Sequence, residues 1–153
     1  MIKRGFTLIE LLIVITIIGI LSALVLTNVQ GVRERARDAR RKSDLNAIKT
    51  ALRLYYNDFG SYPTSTNGII EGCSDGTTAC TWGSAFASTN TYMNSLPLDP
   101  SSTTSNPRYY TYTQTSADTY TLTAELENAS DPDAADSQAR CGVGSGTDYV
   151  VCE

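Results

Sequence analysis

The sequence predicts an α+β fold, in which one long N-terminal helix, half transmembrane and half amphipathic, packs against a small antiparallel β-sheet head. Three observations predict it. Residues 6–57 contain no proline, so nothing in the chain forces that helix to break. Residues 6–26 carry no charge except Glu10, and 21 residues at about 1.5 Å each cover roughly the 30 Å of bilayer hydrocarbon. Residues 108–113 and 119–127 alternate apolar with polar side chains, which is the period of half-buried strands.

The first five residues, MIKRG, form a short basic leader that ends at Gly5, directly before Phe6. A secretory signal has an apolar part of about 7 to 15 residues and a small-residue cleavage site on its far side. Here the far side reads LTNVQG, without Ala-x-Ala, so removal of the whole segment is not expected. Within hydrocarbon an ionised carboxylate is strongly disfavoured without a partner, and Glu10 therefore calls for a cation. Read as one motif, MIKRGFTLIELLIVITIIGIL closely resembles the amino terminus of type IV prepilins and of the pseudopilins of type II secretion systems. Close likeness covers about residues 1–63, and a weaker likeness extends to LPLDP and the strands beyond.

The resemblance implies that a membrane-embedded prepilin peptidase cuts between Gly5 and Phe6, and that the new amine of Phe6 is N-methylated. It implies an assembly role for Glu10 and a helix loosened around Gly19 in the filament. Many relatives carry a proline where this chain has Thr27, which is a departure from the pattern. The domains then read as a leader (1–5), a transmembrane and filament-core helix (6–27), an amphipathic stalk (28–57) and an extracytoplasmic head (58–153). The implied partners are further copies of the chain, the peptidase and methylase, an inner-membrane assembly platform with its ATPase, and the membrane before assembly.

The charge is segregated. All of the 12 Lys and Arg except Arg108 and Arg140 lie in residues 1–53, although the net charge is -4. Counting basic residues alone would place the carboxyl end inside, because RERARDARRK outweighs Lys3 and Arg4. The cysteines and the leader argue the opposite. Cys73, Cys80, Cys141 and Cys152 fit neither C-x-x-C redox spacing nor common zinc patterns, so they are expected as disulfides in an oxidising compartment. Local pairing of Cys73 with Cys80 and Cys141 with Cys152 is favoured because short loops close most readily; the crossed connectivities stay open. For the basic run the first reading is a solvated helix face near lipid head groups, ahead of pairing with acids of neighbouring subunits. Nucleic-acid binding is not predicted, since no aromatic residue interleaves the arginines.

Beyond residue 28, Val29, Val32, Ala36, Ala39, Ser43, Ala47, Ala51 and Leu54 share one helical stripe of mostly small residues. A bulky stripe of Leu45, Ile48, Leu52, Tyr55 and Phe59 starts later, so the head is expected to pack from about Leu45 onward. Asn57, Gly60 and Pro63 end the helix. Residues 60–107 read mostly as loop, with a short helix near Ala85, and Trp82 packs over the first disulfide. The two alternating segments form a hairpin with QTSAD as its turn, and residues 148–152 add a third strand. Between them NASDPDAADSQARCGVGSG reads as an irregular loop. Its Asp131, Asp133 and Asp136 could supply calcium oxygens, and some relatives implied by the resemblance bind calcium near the head. No ligand set can be matched residue by residue, and an ordinary acidic loop is the preferred reading, with no cofactor.

There is no histidine, which excludes Ser-His, Cys-His and His-metal chemistry. An enzyme is not expected. The resemblance implies a structural subunit of an extracellular type IV pilus-like filament, membrane-inserted before assembly. The alternative is the major pseudopilin of a type II secretion system, and behind both stands a monomeric anchored module whose Thr-rich loops bind a carbohydrate or a protein.

Overall fold

The computed structural model describes residues 6–153; within the long helix, the side chains of residues 24–28 lie outside the described part. Helix α1, Leu8–Phe59, is continuous through Gly19, Thr27 and Gly31. Its end lies two residues beyond Asn57. Gly60 takes a left-handed φ of 71°, and its N–H donates to the Tyr56 carbonyl at 2.8 Å, a glycine cap that a side chain would disfavour. The chain divides into two compact units, Met1–Glu34 and Arg35–Glu153.

In the second unit, β6 (Thr111–Ser116), β7 (Thr119–Glu125) and β8 (Asp148–Cys152) form an antiparallel sheet in the order β6-β7-β8. The tip of the hairpin is Ala117 and Asp118, because Ser116 already pairs with Thr119; the expected turn was longer. Tyr112, Leu122 and Val151 stand side by side in register across the three strands. With Tyr120 and Ala124 they form the buried face, and Leu45, Ile48, Leu52 and Tyr55 of α1 complete that core. The bulky stripe is buried as expected, except Phe59, which is 44% exposed. Ala36, Ala39, Ser43, Ala47 and Leu54 of the small stripe are exposed.

Residues 60–107 depart from the expected loop. β1 (Ser65–Thr66), β2 (Ile69–Cys73) and β3 (Thr78–Ala79) form a second small sheet, and β4 (Phe86–Ala87) pairs with β5 (Thr91–Met93). Asn67 and Gly68, both at positive φ, are the two-residue turn between β1 and β2, the strongest short hairpin signal there is. No helix forms near Ala85. Phe86 is instead fully buried in a strand, its ring stacked 5.6 Å from Tyr55, and this burial outweighs the helix preference of the alanines around it.

The segment expected as irregular contains α2, Pro132–Cys141. Asp131 caps it by accepting from the Asp133 N–H at 3.0 Å, proline occupies the first turn and Gly142, at φ 68°, closes the last. Ser137 of α2 accepts from the Val150 N–H at 3.0 Å and Gln138 donates to the Asp148 carbonyl at 2.7 Å, so α2 covers the outer edge of β8, whose backbone groups would otherwise stand open. Both disulfides are local: Cys73 is bonded to Cys80, and Cys141 to Cys152.

Candidate assembly site

Every side chain from residue 6 to residue 23 is exposed. Phe6 is 86% exposed, Leu8 82% and Ile9 66%, an apolar concentration that soluble monomers avoid. Among the described residues no helix is long and apolar enough to cross a membrane. The apolar run of the sequence continues through residues 24–26, whose side chains lie outside the described part. Gly5 and the leader also lie outside it.

The first turn has its own internal chemistry. Thr7 donates to Glu10 Oε2 twice, from its N–H at 2.8 Å and from its hydroxyl at 2.7 Å. The Glu10 N–H returns a bond to Thr7 Oγ1 at 3.3 Å. This is a reciprocal capping box, in which T-x-x-E satisfies backbone donors that the start of a helix leaves open. Glu10 thus has partners within its own chain, while its Oε1 makes no hydrogen bond among the described residues. The motif Thr7-Leu8-Ile9-Glu10 was legible in the sequence and went unread beside the search for a cation. Gly19 has no neighbour within 4 Å of where a Cβ would stand.

The basic run is solvated only in part: Arg33, Arg35 and Arg40 are exposed, whereas Arg37, Arg41 and Lys42 turn inward. Arg41 is fully buried and grips Asp99 with two prongs, Nε to Oδ2 at 2.6 Å and Nη2 to Oδ1 at 2.9 Å. Its Nη1 donates to Asp38 Oδ1 at 2.7 Å and its Nη2 lies 2.7 Å from Glu127 Oε1. Arg37 holds the same Glu127 through both carboxylate oxygens. Asp38, also buried, accepts the backbone N–H groups of Glu127 and Asn128 at 2.9 Å each. Helix, LPLDP loop and the end of β7 therefore meet in one ionic hub. Burial alone would push the Asp99 carboxyl up, but Arg41 and Ser101 hold it at about 2. Arg37, opposed by burial and aided by Arg41, holds Glu127 at about 2. Burial also opposes the Arg41 charge, and the three carboxylates reverse that and raise its pKa.

Lys42 completes the inward-facing set, with Nζ 2.7 Å from Asp131 and 2.6 Å from Asp133. An ammonium thus stands where two of the three candidate calcium ligands meet. Among the described residues no group of three acidic or other ligating side chains is placed to hold a metal. These aspartates fit a lysine-bridged helix cap better than a calcium site. Arg35 and Arg40 remain exposed. Trp82 is 8% exposed, with its ring edge-on to Tyr110 at 5.8 Å.

Comparison with known proteins agrees with the motif and with the head. A family described as the prokaryotic N-terminal methylation motif matches residues 1–26, and one described as type II secretion system protein G matches residues 28–138. Type II secretion system core protein G of Pseudomonas aeruginosa is 34% identical over 138 residues, 86% of this chain and 92% of that protein. The Escherichia coli protein of that name is 43% identical over 67 residues, 44% of this chain and 46% of its own. The Vibrio cholerae one is 38% identical over 67 residues, again 44% of this chain and 46% of its own. The chain therefore spans about half the length of the first curated relatives it matches. No solved structure matches. An exposed apolar helix start that follows a methylation motif, joined to a head whose match runs from residue 28 to residue 138, places the chain in the type II secretion system protein G family.

Proposed function

We propose that this protein is the repeating subunit of a type II secretion pseudopilus, cut between Gly5 and Phe6, N-methylated on Phe6 and polymerised through its N-terminal helix. The carrying observation is the protein G match over residues 28–138, which favours the secretion pseudopilus over the surface pilus put first in the sequence reading. In this reading the exposed apolar segment is held in the membrane before assembly, with residues 24–26 extending it to spanning length. The head faces the oxidising side in this reading, which its two disulfides support. A prepilin peptidase, an assembly platform and its ATPase are the partners, and the subunit itself catalyses nothing.

Assembly replaces lipid with neighbouring helices around residues 6–23. Glu10 keeps Thr7 on Oε2 and offers Oε1 to the methylated amine of a neighbour's Phe6, which pairs two charges otherwise costly in an apolar core. A mutant lacking this gene tests the reading, complemented with the wild-type chain or with Glu10→Val. Wild type should restore export of the secreted proteins. Glu10→Val should insert, lose its leader and form both disulfides, yet leave those proteins in the periplasm. Undiminished export by Glu10→Val, or an intact Met1 in sheared filaments, would overturn the proposal.

A further inference from the structure

Two clefts open on either side of Tyr109 and Trp82. One, of about 250 Å³, is bounded on its far side by Ile69 and Thr81; the other, of about 410 Å³, by Leu98 and Thr104. The ionic hub and the N-terminal segment contribute no residue to either.

Three observations define what the paired clefts can hold. First, no charged side chain lines them, in a chain where 18% of residues are charged, so they are matched to an uncharged ligand. Second, Trp82 lines both clefts while its indole N–H is closed off from solvent, so what it offers a ligand is apolar ring surface. Third, the Tyr109 ring is 54% exposed, and the hydroxyls of Tyr109, Thr81 and Thr104 donate to and accept from nothing among the described residues. By contrast Ser102 and Thr103 in the same wall are committed, accepting from the N–H groups of Arg108 and Asn106 at 3.0 Å each, which fixes the shape of the loop.

An exposed ring for an apolar face, ringed by free neutral hydroxyls, fits a pyranose, whose C–H face is apolar and whose rim is hydroxyl. A peptide adding as a strand is disfavoured, because the outer edge of β6 is already taken. Its Tyr112 N–H donates to the Gly68 carbonyl at 2.9 Å and its Gln114 N–H to Ser65 Oγ at 3.0 Å, and strand addition needs such groups open.

We propose that the paired clefts around Tyr109 and Trp82 bind a neutral oligosaccharide, with Tyr109 as the stacking platform, Thr81 and Thr104 as hydroxyl partners and the edge of the Trp82 ring as apolar wall. This goes beyond the filament role and does not rest on it.

Trp82 is the only tryptophan, so its emission reports on the site without labelling. The mature full chain, in a detergent without a sugar head group, is titrated with maltotriose, cellotriose and chitotriose. At least one of them should change the emission saturably. Tyr109→Ala should weaken that response about tenfold, while circular dichroism and assembly into filaments stay as in the wild type; Thr104→Val should weaken it less. Three outcomes would overturn the proposal: no response to any of the trisaccharides, a response undiminished in both variants, or saturable binding of an uncharged extended peptide of alternating Val and Thr in their place.

Discussion

One helix serves two regions that treat their side chains in opposite ways. From residue 6 to residue 23 nothing is buried, and among the described residues the side-chain partners lie within one turn of each other. Between Leu45 and Tyr55, by contrast, Leu45, Ile48 and Leu52 are wholly buried and Tyr55 is 6% exposed. The charges follow the same division, since Arg37, Arg41 and Lys42 are all paired to acids of their own chain. The globular unit is thus finished by intramolecular contacts, whereas the apolar segment, among the described residues, bonds only within its own turns and leaves its apolar surface open. Under the proposed function, polymerisation requires no refolding of the head.

The contrast is tested most severely at Arg41. Arg41→Ala leaves Asp38, Asp99 and Glu127 facing one another without their shared cation, and breaking a buried pair in this way costs about 3 to 5 kcal/mol. Urea unfolding of the full chain should show that loss, while Arg35→Ala, at an exposed position, should stay within about 0.5 kcal/mol. Similar losses from both would dissolve the distinction.

Leucine truncations sharpen the same division. Leu52→Ala should destabilise the globular unit by about 2 to 5 kcal/mol, as buried leucines do. Leu12 is 50% exposed, and Leu12→Ala should leave urea unfolding unchanged while reducing the yield of sheared filaments. A fall in head stability with Leu12→Ala would show that the two regions are not independent.

Acid should act on one region only. Asp99 and Glu127 sit at about 2 in the folded chain, below ordinary values of 3.8 and 4.5. A depressed carboxyl stabilises the fold fully above its ordinary value and loses that stabilisation as the pH falls through the folded one. The urea midpoint should therefore be flat from neutral pH down to about 5 and then drop between about 4 and 2. A decline that starts near pH 6 would assign acid sensitivity to other groups.

The smallest effect is expected at the helix start. Thr7→Val removes the hydroxyl of the capping box, worth about 1 kcal/mol locally. Amide exchange in the first turn of α1 should quicken about fivefold, with the urea midpoint unmoved. Unchanged exchange would mean that the box contributes no stability.

The parts of this fold that were legible in the sequence are those written in short-range periodicity. The alternation at Tyr110, Tyr112, Tyr120, Leu122 and Ala124 gave the sheet, and the late start of the bulky stripe gave the helix face it covers. Helix α2 was equally legible, with Asp131 before it, Pro132 at its first position and Gly142 after it, although aspartates so crowded are also the composition of an oxygen-rich metal loop. The Asn67-Gly68 turn was legible in the same way. Arg41 is a different case. Its partners Asp99 and Glu127 lie 58 and 86 positions away in the chain, and nothing local separates it from the exposed Arg40. Burial of a charge is decided by tertiary partners, which a charge run does not display.

The cations that join α1 to the rest of the globular unit also have a mechanical meaning. Arg37, Arg41, Lys42, Lys49 and Arg53 are clamped to Glu127, Asp99, Asp131 with Asp133, and Glu153, along about 24 Å of helix. Tension along α1 is distributed across these clamps in parallel, as shear, so none has to yield before the others bear load. The last of them hold Glu153, next to Cys152 and its disulfide to Cys141, so force reaching Glu153 passes into a covalent link. In the proposed filament, such a head resists being peeled from its own helix.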